Sequence, residues 1–113
     1  MNALKKKFLP TFRGVKVGLG HRSVLIQCIL GGMAVIAGLI MKLDSVEWLA
    51  VIICIGCVIT AEMMNTAIEW LCDLYSTKKD ERIRNIKDVA GAAVLISAMA
   101  ALACAVVILI RHI

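Results

Sequence analysis

Aromatic side chains are scarce in this sequence, at 4%, and charged ones reach only 19% against 61% hydrophobic. That balance excludes an ordinary soluble domain, and 113 residues exclude two domains of usual size. No internal repeat or low-complexity tract is visible, so neither a repeat array nor a linker organises the chain. A Gly-rich phosphate loop of the Walker type is missing. The cysteines are odd in number (Cys28, Cys54, Cys57, Cys72, Cys104), and all lie in apolar segments. A zinc or redox reading of Cys54-Ile55-Gly56-Cys57 would need thiolates in hydrocarbon, without a second pair in support, so the cysteines read as small hydrophobes.

What is present is apolar length. Segments of about 24–41, 46–73 and 89–110 are each long enough, at about 1.5 Å per residue, to cross a hydrocarbon core of roughly 30 Å. The expectation is a single integral-membrane domain over 1–113, all-α, rather than a soluble bundle. Gly31, Gly32, Gly38 and the small residues from Gly91 through Ala105 suit close helix approach. Three helices enclose little space, so a homo-oligomer is expected.

The first residues mimic a cleavable signal only in Lys5, Lys6 and Lys7. Pro10, Arg13, Lys16 and Arg22 follow where its apolar core would stand, so no cleavage is expected. Leu4, Phe8, Phe12, Val15 and Leu19 recur at helical spacing, which predicts an amphipathic surface helix over about 2–20 on an anionic membrane. Pro10 is expected to divide it, the more regular part starting there. Phosphate binding by the same lysines is the alternative.

Basic residues cluster at Lys5, Lys6, Lys7, Arg13, Lys16 and Arg22, and again at Lys78, Lys79, Arg82, Arg84 and Lys87. The positive-inside rule then places the N-terminus and the 76–88 segment in the cytoplasm and the C-terminus outside. Trp48 and Trp70 fit the two interfaces of the second span, or plain packing. Charge gathered on one side of a membrane accounts for the pI near 9.1 without nucleic acid.

The second span carries its own exception. Glu62, Asn65, Thr66, Glu69 and Asp73 fall within a stripe about 100° wide on one helix face. An ionisable side chain at membrane depth costs roughly 2.5 to 3.5 kcal/mol on insertion scales, so such a stripe faces water, partners or a ligand. Glu62 and Glu69 stand two turns apart, roughly 10 Å, which suits two separate tasks rather than one shared proton. One carboxylate could take a proton from a hydroxyl while the other holds a divalent cation. Magnesium accepts one or two carboxylates together with phosphate oxygens and water. Lys78, Lys79 and Lys87 are cations of the kind that neutralise phosphates. The structural alternative is interhelical bonding of the carboxylates to Arg22, Lys87 or Thr66.

The run Glu62-Met63-Met64-Asn65-Thr66-Ala67-Ile68-Glu69, followed by Asp73 and then Lys87-Asp88 before a small-residue helix, resembles the prokaryotic diacylglycerol kinase family, which includes undecaprenol kinases. The resemblance covers nearly the whole chain. It implies a homotrimer of an amphipathic surface helix and three transmembrane helices in the bacterial inner membrane. It also implies transfer of the ATP γ-phosphate to a lipid hydroxyl, of undecaprenol or diacylglycerol. By position, Glu62 would be the general base and Glu69 a magnesium ligand. Asn65, Asp73 and Gly91 would shape the site, and Lys78, Lys79, Asp80, Lys87 and Asp88 would contact nucleotide.

The sequence departs from that family where a second metal-binding glutamate precedes the first span. Gly20-His21-Arg22-Ser23 stand there, and no carboxylate occurs before Asp44. Magnesium held through ATP, a role for His21, and an impaired site are all compatible with this. The two function classes are a lipid kinase and a catalytically weakened homologue that binds lipid or assembles in the membrane.

Overall fold

Three long apolar helices must hide from water, and in the computed structural model, which describes Asn2 to Ile113, they stand side by side as an antiparallel set. The helices are α1 (Asn2–Leu19), α2 (Arg22–Met41), α3 (Ser45–Tyr75) and α4 (Glu81–His112). The last three are long and apolar enough to cross a membrane, as a multi-pass protein requires. Most of their large apolar side chains point away from the chain's own interior, as lipid or protein neighbours permit.

At about 1.5 Å per residue, α2 runs about 30 Å, matching a hydrocarbon core, whereas α3 and α4 run about 46 to 48 Å. The excess lies at the end carrying the polar stripe. Measured from Ser45, Glu62 falls about 26 Å along α3, Glu69 about 36 Å and Asp73 about 42 Å. A span of about 30 Å counted from Ser45 would thus reach just past Glu62 and stop short of Glu69 and Asp73.

The turn from α2 into α3 is built by three residues. Lys42 takes a left-handed conformation (φ 56°), Leu43 is buried, and Asp44 caps α3. Asp44 accepts from the Glu47 backbone N–H (2.8 Å) while the Glu47 carboxylate accepts from that of Asp44 (3.0 Å), a reciprocal capping box. The register of α2 on α3 follows from glycine. A Cβ on Gly38 would lie 2.8 Å from the Trp48 ring, and one on Gly31 would lie 3.0 Å from Ile55. Gly32 and Gly91, also expected at close approaches, have nothing within 4 Å of a Cβ in the chain itself. Trp48 is thus partly buried against α2, whereas Trp70 is 45% exposed.

One expectation about the helices is corrected. Pro10 does not divide α1, which continues through it. A proline there forfeits one backbone bond, but α1 is exposed nearly throughout, so the freed carbonyl can turn to water. The helix that carries the third apolar segment, expected over about 89–110, starts earlier, at Glu81, because Asp80 accepts from the Arg82 N–H (2.8 Å) and caps it there. The non-helical connection between α3 and α4 is residues 76–80.

Candidate functional site

One helix face holds Glu62, Asn65, Thr66, Glu69 and Asp73, but the fold divides it among different neighbours. Glu62 and Thr66 turn toward α2 and are 8% and 3% exposed. The Thr66 hydroxyl donates to the Glu62 carbonyl (2.9 Å), the usual local bond of a helical threonine, and stands 3.5 Å from His21 Nδ1. The His21 ring meets Trp70 edge to face at 5.9 Å. Deeper along α2, Gln27 Nε2 donates to Glu62 Oε1 at 3.4 Å.

Asn65 and Glu69 bond to each other, Nδ2 to Oε1, at 3.1 Å. Asn65 Oδ1 is buried and has no hydrogen-bond partner among the described residues. A buried orphan oxygen calls for a donor or a cation. With the Glu69 carboxylate beside it, it supplies hard oxygen ligands of the kind magnesium takes, leaving the remaining shell to phosphate and water. The donor set therefore fits that ion, although no three His, Cys, Asp or Glu side chains gather into a cage among the described residues. His21 is engaged with Thr66 and Trp70, and Arg22 is exposed.

Asp73 faces α4, where Lys87 Nζ reaches it at 2.7 Å. Of the interhelical bonds considered from sequence, this is the one formed; the Thr66 hydroxyl serves backbone rather than a carboxylate. Lys78, Lys79, Asp80, Lys87 and Asp88 line one open cleft of about 670 Å³ between the α3–α4 connection and the first turns of α4. Arg84 joins them. Arg82 donates to Asp80 through side chain and backbone, holding that carboxyl below the usual aspartate range. Gly91, a further turn along α4, offers open space at its Cβ position.

Gln27 and Arg84 escaped the sequence reading as site residues. Gln27 carried a signal, being the one strongly polar side chain between residues 24 and 41. Arg84 had only its place in a basic cluster.

The chemistry this geometry permits is proton acceptance at Glu62, with a cleft nearby where Lys78, Lys79, Arg84 and Lys87 stand among Asp80, Glu81 and Asp88 and could meet phosphates. The undecaprenol kinase of Bacillus subtilis (strain 168) is 28% identical over 100 residues, covering 88% of this chain and 81% of that protein. Residues 11–109, which include every stripe residue and the cleft, match the prokaryotic diacylglycerol kinase family. The chain belongs to that family of lipid kinases.

Proposed function

We propose that the protein transfers the γ-phosphate of ATP to the primary hydroxyl of a membrane lipid alcohol. Undecaprenol is the first candidate because a relative bears that name, and diacylglycerol the second. The observation that carries the reading is the burial of Glu62, an acid only 8% exposed on a helix long and apolar enough to cross a membrane. There its carboxylate would accept the hydroxyl proton as the lipid oxygen bonds to the γ-phosphorus. The bond from that phosphorus to the bridging oxygen breaks, and ADP departs.

Lys78, Lys79 and Arg84, with Lys87 once exchanged from Asp73, would meet the phosphate oxygens, and Asp80 and Asp88 border the same cleft. Glu69, with Asn65 beside it, would hold magnesium, which supplies charge neutralisation on the phosphates. In this reading α1 lies on the anionic cytoplasmic surface, the α3–α4 connection is cytoplasmic, and the C-terminus is outside. A homotrimer closes the sites with residues of neighbouring copies.

The deciding assay offers each alcohol in turn to purified protein in lipid with ATP and magnesium, and follows phosphorylated lipid and ADP. Glu62→Gln should lower kcat by roughly 10² to 10⁴ with folding and nucleotide binding intact. Near-normal kcat in that variant would sink the assignment. The second reading, a weakened homologue, is favoured by the lack of any carboxylate before Asp44, and it is identified by lipid and ATP binding without turnover.

A further inference from the structure

A glutamine inside an apolar span is costly unless its amide is used. On α2, Gln27 is flanked by Leu25, Ile26, Ile29 and Leu30, all exposed to the surroundings, while Gln27 itself turns inward. There it borders an apolar cavity of about 180 Å³ whose wall includes Gly31, Cys54, Val58 and Ile108. That wall offers the amide no polar partner of its own kind. The partner the amide has is Glu62 Oε1, 3.4 Å from Nε2.

The other elements packed on α3 bring their charges elsewhere. His21 meets Thr66 and Trp70, one to two turns nearer the cytoplasmic end of α3. Lys87 of α4 is bound to Asp73. The α1 helix presents Gly18 to Met63. The Glu62 carboxylate is thus oriented by an uncharged donor, which attracts it without supplying a proton or a full counter-charge. A carboxylate has two oxygens and rotates freely about its terminal bonds. Fixing one oxygen leaves the other presented in a single direction.

We infer that Gln27 is a positioning residue for the phosphoryl transfer, its amide holding Glu62 Oε1 so that Oε2 faces the lipid hydroxyl. This rests on the reading of Glu62 as general base, and the experiment separates the two. Gln27→Met and Gln27→Leu keep most of the volume and remove the donor. Gln27→His keeps an N–H at similar reach. A long hydrogen bond to a charged group belongs at the lower end of its range, so each donor-free variant should lose about tenfold in kcat. KM for lipid and for ATP should stay within about twofold, because the bond orients a reacting group and does not bind substrate. Gln27→His should recover most of the loss.

In the Glu62→Gln background, Gln27→Met should cost nothing further, since the group it acts through is gone. A merely structural glutamine would instead give losses that add in the double variant, with KM moving alongside kcat; that result overturns the inference. So does wild-type kcat in both donor-free variants. If Glu62→Gln is inactive while those variants are normal, the positioning role alone falls. If Glu62→Gln turns over normally, the base and its positioning residue fall together.

Discussion

Alanine substitutions at three glycines of α2 read the α2–α3 contact directly. Gly31, Gly32 and Gly38 share one helix, so the gain in helix propensity on going to Ala, up to about 1 kcal/mol, is nearly common to all three. What differs is space. Gly32 has nothing within 4 Å of a Cβ, Gly31 has Ile55 Cγ2 at 3.0 Å, and Gly38 has Trp48 Cη2 at 2.8 Å and Leu43 Cδ1 at 3.0 Å. Carbon contacts are optimal at roughly 3.5 to 4.0 Å, so a methyl at Gly38 is short of room on two sides. Its ring neighbour cannot bend away as an aliphatic tip can. Overpacking of this kind costs about 1 to 3 kcal/mol, and subtracting Gly32→Ala from Gly38→Ala cancels propensity and leaves that cost. Gly31→Ala should fall between, because an isoleucine methyl can yield by a rotamer adjustment. Unfolding of the three variants in one detergent, followed by circular dichroism, gives the ranking. If Gly38→Ala is as stable as Gly32→Ala, α2 is not seated on Trp48 and the register derived from it is wrong.

Three further outcomes are expected. Mixed oligomers of Glu62→Gln and Lys87→Ala subunits, each inactive alone, should regain activity if sites combine residues of adjacent copies; a fully active monomer in detergent contradicts this. Magnesium should bind chiefly in the presence of ATP, and His21→Glu or Arg22→Glu should raise its affinity by adding an oxygen ligand; tight metal binding by the ATP-free wild type, with no change in either variant, refutes the assignment. The Glu47 backbone N–H and then Arg111 hold Asp44 below the usual aspartate range. A depressed folded-state pKa contributes stability that is full above the ordinary aspartate value and is lost as pH falls through the lowered one. Acid unfolding should therefore show a loss of stability in that window which Asp44→Asn lacks, and identical acid profiles for the two proteins would disprove the coupling.

Much of the architecture was legible because its signals are local. Apolar runs mark spans, and a 3.6-residue period gathers Glu62, Asn65, Thr66, Glu69 and Asp73 onto one face before any neighbour is known. Lys78, Lys79, Asp80, Lys87 and Asp88 share a cleft partly because the connection between α3 and α4 is short. The division of the stripe was not legible, since a helix period cannot say which neighbour each residue meets. Gln27 reaches Glu62 across 35 positions, and His112 reaches Glu47 across 65. Such pairings depend on helix register, set here by Gly31 and Gly38. The early start of α4 was hidden by charge, because hydropathy marks the membrane and not the helix, which a cap at Asp80 begins eight residues sooner.

The α3–α4 pair is fastened at both ends. Near the α3–α4 connection Lys87 grips Asp73; at the far end His112 meets both oxygens of Glu47, which is 3% exposed, at 2.9 and 3.0 Å, and Arg111 meets Asp44 at 3.2 Å. The latches stand roughly 38 Å apart along α4, and a slip of one helical turn, about 5.4 Å, would undo both. The pair is thus a stiff beam under axial shear. Across its face, α2 is held by a short turn, two glycine contacts and the Gln27 and His21 bonds, with no ion pair among the described residues. Opening at Glu62 therefore costs least as a tilt of α2 about the 42–44 turn, with the two longer helices as its fixed post.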